Sequence, residues 1–310
     1  MKSPGDRYVY DQSDRQYTDI SLHICTDEGY ISITARRQGK KVELEQIPIP
    51  TLEINEVLIR IHSIAQNPTD WKHTDFLSPV GNVIGCDFSG TVVKLGADSI
   101  SRVKVGDTVA AHVHGGNYKD RGAFAQYAKA DSDLVWKFSP SVLSFEEAAT
   151  MNCALWTVIQ AFYLRMGLEE PSSALPKNEW ILIYGGSTSL GLFSIQLAKL
   201  SGYKVVTTTS PKNFDLLKSL GADIVINSLA PTPDGARPGK VMVSLIPNED
   251  AKALRKDVIV LNTVIYTAFG RSFELAKIQF PASPEDRAHM ASWMPKLEEL
   301  AAKVRSNQTR

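Results

Sequence analysis

Apolar residues follow two different periods along the chain. Between residues 29 and 137 they form short runs, such as Val57, Ile59 and Ile61 alternating along one strand, and turn-forming pairs such as Gly106-Asp107 separate these runs. Short strands at this spacing predict a β-barrel-like domain. From Trp180 onward the pattern changes to strands that alternate with helical repeats, which predicts a parallel α/β unit.

The remaining elements follow from the same two periods. Residues 1–28 are polar and lack periodicity, which predicts a tail or at most a surface strand. Ser283 and Pro284 predict a helix start, with a capping serine and a first-turn proline. The other predicted strands are 91–93, 108–113, 124–128, 134–136, 223–227, 241–245 and 258–261, and helices are predicted at 146–164 and 214–220.

The segment 180–213 organises the second half of the chain. A strand at 181–183 meets a turn that reads GSTSLG from Gly186 to Gly191, and a helix and a β-branched strand at 205–209 follow. The first and last glycines of a dinucleotide-binding turn are present, and Thr188 stands at the middle position. Such a turn brings backbone N–H groups and a helix start to a phosphate. The sequence therefore favours a dinucleotide site over a βαβ unit that binds nothing.

The end of the second strand of this unit indicates which dinucleotide binds. An NAD site places Asp or Glu there, where the carboxylate accepts from the ribose 2′-hydroxyl. Here residues 209–213 read TSPKN, which supplies hydroxyls and a lysine but no carboxylate. A cation suits a 2′-phosphate, so the predicted cofactor is NADPH. The alternative is that Lys212 is a solvent-exposed turn residue.

Composition narrows the classes of function. The 310 residues include 34 basic and 34 acidic side chains, and this balance favours neither nucleic acid nor an anionic membrane as a partner. No apolar run reaches transmembrane length and the polar start does not resemble a signal peptide, so a cytoplasmic protein is expected. Cys25, Cys86 and Cys153 are widely separated, which argues against a disulfide framework.

Several runs together resemble a known family. VIGCDFSGTVV at 83–93, VGDTV at 105–109 and YGGSTSLG at 184–191 are similar to the medium-chain dehydrogenase/reductase superfamily. NPTDWK at 67–72, HGGN at 114–117 and SPKNFDL at 210–216 resemble the trans-acting enoyl reductases of fungal polyketide pathways. The likeness runs from about residue 30 to 227 and again from about 240 to 305.

The resemblance implies an α/β fold with two domains and the cofactor between them. A GroES-like β-barrel catalytic domain is expected at 29–165, with 271–310 returning to it, after a polar tail at 1–28. A Rossmann-type doubly wound parallel sheet, shortened, is expected at 166–270. The implied reaction is metal-independent, NADPH-dependent reduction of a C=C bond conjugated to a carbonyl. The implied partners are a small-molecule or carrier-bound enoyl substrate and a polyketide synthase.

The resemblance also implies roles for individual residues. Lys72 and Tyr266 are the expected catalytic residues, while Tyr266, Cys153 and bulk water all stay open as the proton donor. The expected cofactor-binding residues are Thr69, Asp70, Trp71, Lys72, Gly186, Ser187, Thr188, Ser189, Gly191, Ser210, Pro211, Lys212 and Asn213. The expected substrate-cleft residues are Cys153, Trp156, Tyr266, Thr267, Ala268, Phe269 and Gly270. The structural alternatives are a surface role for Lys72 and core roles for Tyr266 and Phe269.

Zinc chemistry is the competing expectation for this superfamily. Zinc-dependent relatives place a cysteine, a His-Glu pair and a second cysteine at the positions of Asn67, Cys86-Asp87 and Cys153. An amide is a poor zinc ligand and the histidine is missing, so no metal site is expected. His112 and His114 share one face of a strand and, without a third ligand nearby, are expected to be structural.

The chain departs from the family pattern in its parallel sheet. Family members carry a helix, a central fourth strand and a second helix that the proline-rich connector 228–240 is too short to contain. The strand at 181–183 would then present an unpaired apolar edge, unless 241–245 moves into the vacancy. The chain also stops at Arg310, and the family's closing segment is expected to be absent.

Two classes of function follow from these observations. The first is an NADPH-dependent oxidoreductase that reduces an activated C=C bond in secondary-metabolite biosynthesis, with a quinone oxidoreductase-like enzyme as its near variant. The second is a catalytically impaired reductase fold that binds nucleotide or acts as a partner surface for a synthase. A zinc alcohol dehydrogenase is a third, more distant candidate. The sequence leaves the oligomeric state open.

Overall fold

The structure is a computed structural model that describes residues 7–10, 17–20, 30–36, 41–100, 102–171, 176–229, 241–244, 253 and 259–308. The strands are β1 Arg7–Tyr10, β2 Tyr17–Ile20, β3 Tyr30–Arg36, β4 Lys41–Ile47, β5 Glu56–Ala65, β6 Asp87–Leu95, β7 Thr108–His112, β8 Tyr127–Asp131, β9 Val135–Lys137, β10 Trp180–Ile183, β11 Lys204–Thr209, β12 Ile224–Asn227, β13 Val241–Ser244, β14 Ile259–Asn262, β15 Phe273–Leu275 and β16 Ile278–Phe280.

Helices occupy fewer residues and are mostly short. The α-helices are α1 Pro68–Lys72, α2 Phe145–Thr150, α3 Asn152–Ile159, α4 Ser189–Leu200, α5 Phe214–Ser219, α6 Pro284–Trp293 and α7 Leu297–Gln308. Two π-helical segments lie at His73–Leu77 and Gln160–Arg165, and 3₁₀ turns at Ser132–Leu134, Pro211–Asn213, Ile265–Phe269 and Met294–Lys296. Within the described parts of the chain, no helix combines the length and apolar character that a membrane crossing requires.

The first half of the chain forms a five-stranded antiparallel sheet in the order β8-β5-β6-β7-β9. Val57 and Ile59 are fully buried, as their alternation predicts, and so are Phe88 and Val109 on the neighbouring strands. The strand predicted at 124–128 begins instead at Tyr127. The backbone N–H of Phe124 donates to the Ile84 carbonyl at 2.9 Å, so this part of the loop is already paired elsewhere.

The second half contains two separate parallel sheets. One has three strands in the order β10-β11-β12, and the other pairs β13 with β14. The strand predicted at 241–245 therefore does not fill the vacancy beside β10, because it pairs with β14 in parallel register. Within the described residues, β11 is the only hydrogen-bonded neighbour of β10. Part of the connector 228–240 lies outside the described residues.

Only one face of β10 is covered. Ile181 and Ile183 are buried and pack in the same core as α4, while Trp180 and Leu182 on the opposite face are 50% and 67% exposed. A strand inside a doubly wound sheet is normally buried on both faces. Among the described residues, β10 therefore has an exposed apolar face and, as predicted, no partner strand on its second edge.

The segment after residue 270 lies against the antiparallel sheet. Arg287 donates to the Asp131 and Asp133 carboxylates, and Arg271 donates to Asp131 at 2.7 Å. Glu298 accepts from the Ser139 backbone N–H at 2.7 Å. The predicted helix start is correct, because the Ser283 hydroxyl accepts from the Asp286 backbone N–H and Pro284 is the first helical residue. Near the start of the chain, β1 pairs antiparallel with β2 within the region that the sequence predicts as a polar tail.

Candidate active site at the junction of the two halves

Helix α1 brings three polar side chains to the interior. Asn67 caps the helix, and its backbone N–H donates to Asp70 Oδ2 at 2.6 Å, which turns the Asp70 carboxyl inward. Burial raises the pKa of Asp70 to about 7, so its neutral and ionised forms coexist near neutral pH. Thr69 and His73 lie one helical turn apart on the same inward face, at 3.1 Å from Oγ1 to Nδ1.

The other two predicted residues of α1 face solvent. Trp71 and Lys72 are both exposed, and the Lys72 ammonium lies 5.7 Å from the centroid of the Trp71 indole ring. Trp71 and Lys72 lie on a different face of α1 from Thr69, because residues close in sequence point in different directions around a helix. Contact of Trp71 and Lys72 with a cofactor stays a prediction.

A second polar group is organised around Asp87. Asp87 and His112 are cross-strand partners on β6 and β7, and His112 Nδ1 lies 2.8 Å from Asp87 Oδ1. The second carboxylate oxygen accepts from the Asn67 amide and from the Cys153 backbone N–H, each at 2.9 Å. The side-chain donor atoms of Asp87, His112 and Cys153 lie within 4.8 Å of one another, so a metal ion would compete with these hydrogen bonds. The expectation that no metal binds here stays a prediction.

Tyr266 comes from the other half of the chain and closes the site. It lies in the 3₁₀ turn after β14, and its hydroxyl is 2.5 Å from Thr69 Oγ1 and 3.9 Å from Cys86 Sγ. Its ring stacks on the His114 imidazole with centroids 3.7 Å apart. Burial raises the pKa of Tyr266 well above its ordinary value, so the hydroxyl keeps its proton at neutral pH.

The remaining predicted cleft residues surround this tyrosine. Trp156 is fully buried, with its ring 5.8 Å from the His112 ring, and Phe269 stacks on His112 at 5.5 Å. Cys153 is partly buried as a whole residue. Burial of its thiol raises the thiol pKa, so the thiol is protonated at neutral pH. Ala268 is buried, and Gly270 ends the turn with a left-handed φ of 69°.

A buried network fixes the position of the Tyr266 turn. The Thr267 hydroxyl donates to Asp286, which also accepts from Arg165 and from the Gln160 amide. Thr263 in turn donates to the Gln160 carbonyl oxygen. Because α6 and the helical segment around Gln160 both anchor this turn, Tyr266 and Phe269 are held in place on the barrel side.

The glycine turn has the backbone geometry that the sequence predicts. A Cβ on Gly186 would lie 2.1 Å from Thr207 Oγ1, and one on Gly191 would lie 2.4 Å from the Gly185 carbonyl oxygen. Only glycine therefore allows the helix to start this close to the strand. Thr188 occupies the middle position because it is the N-cap of α4, and its hydroxyl accepts from the Gly191 N–H at 3.1 Å.

The predicted 2′-phosphate segment lies directly beside this turn. Thr209 at the end of β11 donates to the Ser187 hydroxyl at 2.8 Å, and the Asn213 amide lies 3.4 Å from the Ser210 hydroxyl. Lys212, Pro211 and the turn residues Ser187, Thr188 and Ser189 are exposed. Hydroxyls and a cation at a helix start form a donor set that suits phosphates.

Polar atoms without hydrogen-bond partners lie in the part of the site around Tyr266, away from the glycine turn. Asp70 Oδ1, His112 Nε2 and Trp156 Nε1 are buried without a hydrogen-bond partner. Buried polar atoms in proteins normally have a partner, and unpaired ones call for an explanation. The residues present therefore fit a bound dinucleotide, with phosphates at α4 and polar capacity left beside Tyr266.

Sequence reasoning missed two residues of this site, His73 and His114. His73 Nε2 lies 3.3 Å from His114 Nε2, and both side chains are buried. The sequence contained part of the information, since His73 follows the NPTDWK run and lies four residues after Thr69. The sequence predicts a structural role for His114 because no third metal ligand is evident nearby, and its actual partner His73 is 41 residues away in sequence.

These features define the class of protein. Residues 53–140 match the family described as the alcohol dehydrogenase GroES-like domain. Among solved structures, the chain resembles the CurK enoyl reductase with 18% identity and a TM-score of 0.67, over 91% of this chain and 96% of that one. It also resembles mycobacterial Rv1454c, solved with NADPH, with 25% identity and a TM-score of 0.52, over 64% and 58% of the two chains. The fold is that of a medium-chain dehydrogenase/reductase.

Curated relatives narrow this class further. The trans-enoyl reductase TOXD of Cochliobolus carbonum is 46% identical over 182 residues, and the match covers 58% of this chain and 61% of the relative. The trans-enoyl reductase resD of Aspergillus sclerotiorum is 32% identical over 314 residues, covering 87% of this chain and 88% of the relative. The chain therefore belongs to the trans-enoyl reductase family. Its match to TOXD spans less than two thirds of that relative's length.

Proposed function

We propose that the protein is an NADPH-dependent reductase of a C=C bond conjugated to a carbonyl, acting in secondary-metabolite biosynthesis. The observation that carries this proposal is the Tyr266 hydroxyl, which the turn after β14 places 2.5 Å from Thr69 of α1. A protonated hydroxyl at the junction of the two halves is suited to meet charge that develops on a bound substrate. The glycine turn and Lys212 supply the phosphate side of the site.

The residues beside Tyr266 have separable tasks in this reaction. When bound, NADPH supplies the hydride that adds to the β-carbon of the substrate. Tyr266 then gives its proton to the α-carbon: the O–H bond breaks, a C–H bond forms, and a phenolate remains. The Thr69 hydroxyl stabilises this phenolate by donating to it, and solvent returns the proton after the product leaves.

Lys72 and the polar turn residues hold the cofactor in this proposal. Lys72 meets oxygens of the nicotinamide ribose or the pyrophosphate, and Ser187 and Ser189 meet the pyrophosphate. Support comes from exposure, because all three side chains are accessible to a ligand. Trp156 and Phe269 form the apolar wall beside the substrate.

The substrate is proposed to arrive on a carrier. The curated relatives are named trans-enoyl reductases, and we propose that this chain likewise serves a separate polyketide synthase in the cytoplasm. The direct test is NADPH consumption by the purified protein with crotonyl-N-acetylcysteamine as a minimal enoyl thioester and a benzoquinone as the comparison substrate. We expect turnover of the thioester in preference to the quinone. Preferential turnover of the quinone would contradict the assignment and favour the quinone oxidoreductase-like alternative.

One observation favours a second candidate function, a nucleotide-binding protein without reductase activity. The parallel sheet has three strands, and its β10 edge lacks a hydrogen-bonded strand among the described residues. The strand that normally lies there borders the cofactor in the resembled family. In this case NADPH would bind but no enoyl thioester would be reduced.

Replacement of Lys212 with alanine tests the choice of cofactor. We expect NADPH to bind about tenfold to a hundredfold more weakly, since one charge-assisted contact to a 2′-phosphate contributes roughly 1.5–3 kcal/mol. NADH affinity should stay unchanged, because NADH has no 2′-phosphate. Lys218→Ala removes an equally exposed lysine six residues further along and is the matched control. Equal weakening of both cofactors by Lys212→Ala would refute the 2′-phosphate contact.

A further inference from the structure

We infer that His73 and His114 form a neutral pair that sets the direction of the Thr69–Tyr266 hydrogen bond, so that the Tyr266 hydrogen is free to face the substrate. His73 is therefore a positioning residue, which acts through Thr69 rather than by touching the substrate. The inference rests on the proposed function, because it names what orients the proton donor of that reaction.

One backbone carbonyl determines the direction of the hydrogen bonds that run from His114 through His73 to Thr69. His73 Nδ1 lies 2.9 Å from the Thr69 carbonyl oxygen, which can only accept. Nδ1 must therefore carry the hydrogen. In a neutral imidazole the other nitrogen, Nε2, is then an acceptor. His114 Nε2 lies 3.3 Å away and must donate to it, so both tautomers are determined by geometry.

The same constraint extends to the tyrosine. Thr69 Oγ1 lies 3.1 Å from His73 Nδ1 and accepts part of its hydrogen bond, so the threonine hydrogen is available for another partner. That partner is the Tyr266 oxygen at 2.5 Å. With its oxygen accepting from Thr69, Tyr266 keeps its own hydrogen for a different acceptor. The nearest is the weak acceptor Cys86 Sγ at 3.9 Å, which a substrate would replace.

The pair keeps this direction only when both rings are neutral. Burial lowers the pKa of His73 and lowers that of His114 further, and His112 adds to both shifts. The titratable groups that face the pair are His112 and Tyr266, together with Tyr118 against His114. An added proton on His73 Nε2 would place two N–H groups 3.3 Å apart and facing each other, which would break the hydrogen bond between His73 and His114.

The kinetic test uses two variants of His73 in two backgrounds. His73→Phe keeps the ring and removes the donor, and it should lower kcat about tenfold, the effect of losing roughly one hydrogen bond in the transition state. His73→Asn keeps an N–H near the Nδ1 position and should retain kcat to within about threefold. KM should change little in either variant. In a Tyr266→Phe background, His73→Phe should cause no further loss.

Two results would overturn the inference. One is an equal loss of kcat from His73→Phe with and without the Tyr266 hydroxyl, and the other is a loss in His73→Asn as large as that in His73→Phe. Melting temperatures and NADPH affinity, measured on the same samples, separate these results from misfolding.

A spectroscopic signature tests the tautomers independently of turnover. Nitrogen-15 spectra of the histidine-labelled full chain at neutral pH should show a ring protonated at Nδ1 that disappears in His73→Asn, besides the one expected from His112 bonded to Asp87. A neutral His73 ring protonated at Nε2 would refute the inferred direction of the hydrogen bonds. If the wild-type protein turns over no enoyl thioester, the proposed function fails while this spectrum still decides the inference.

Discussion

Tyr266→Phe is expected to lower kcat for enoyl-thioester reduction by about 100-fold or more, the effect of removing a positioned proton donor. The substitution removes one hydroxyl and leaves the ring stacked on His114, where the centroids are 3.7 Å apart. NADPH affinity should stay within about threefold, because the proposed phosphate contacts lie at the glycine turn and not at Tyr266. The measurement is steady-state kinetics with direct cofactor titration of the same preparation.

A second buried tyrosine supplies the control for this prediction. Tyr163 is also buried, and its hydroxyl bonds to Ser201 at 3.0 Å rather than to Thr69. Tyr163→Phe should cost some stability and leave kcat near the wild-type value. If Tyr266→Phe keeps more than half of the wild-type kcat, the proton comes from water or Cys153 instead.

Gly191→Ala should impair both folding and cofactor binding. The added Cβ would lie 2.4 Å from the Gly185 carbonyl oxygen and 2.6 Å from Gly186 Cα, both of which are backbone atoms that cannot rotate away. Overpacking of this kind costs roughly 1–3 kcal/mol of unfolding free energy. Because the clash pushes the turn away from the start of α4, NADPH affinity should fall at least about tenfold beyond what reduced stability explains. Denaturant unfolding and NADPH titration measure the two effects separately.

Gly106→Ala distinguishes this clash from the general cost of replacing a glycine. Gly106 has a φ of 91° and open space around its Cβ position. Alanine there should lower the free energy of unfolding by about 1–2 kcal/mol, the cost of a left-handed backbone conformation alone. It lies in a turn of the antiparallel sheet, and NADPH affinity should be unchanged. Undiminished NADPH binding by Gly191→Ala would mean that the glycine turn does not contact the cofactor.

Local patterns predicted several elements of this fold. The alternation of Val57, Ile59 and Ile61 predicted β5, and the serine–proline pair at 283–284 predicted the start of α6. Such predictions succeed because each depends on neighbouring residues within one element. The alternative in which 241–245 moves beside β10 is wrong, because that strand pairs with β14 and the choice depends on tertiary packing.

The site was predictable in its parts but not in its contacts. The glycine turn and the TSPKN segment could be named because their chemistry is contained in consecutive residues. The contact between Thr69 and Tyr266 joins residues 197 positions apart, and no periodicity in the sequence relates them. The contact of His114 with His73 is likewise hidden from the sequence, because the two residues come from different elements. A series of hydrogen bonds between residues from different elements can be identified only from the distances in the folded structure.

The exposed face of β10 makes the shortened sheet the central question for activity. Trp180 and Leu182 would be covered in a full doubly wound sheet, and here both are at least half exposed. The glycine turn nevertheless keeps its contacts with β11, including the Gly186 N–H bond to the Thr208 carbonyl at 2.9 Å. The proposed phosphate half of the site depends on β10, β11 and α4, all of which are present.

Titration of the purified 310-residue chain with NADPH and with NADH tests this account most directly. We predict saturable NADPH binding, with enhanced nucleotide fluorescence, and at least about tenfold weaker NADH binding, because only NADPH carries the 2′-phosphate that Lys212 is proposed to bind. Absence of NADPH binding by a folded, monodisperse sample would contradict the account, since it would mean that the three-stranded sheet does not form the cofactor site.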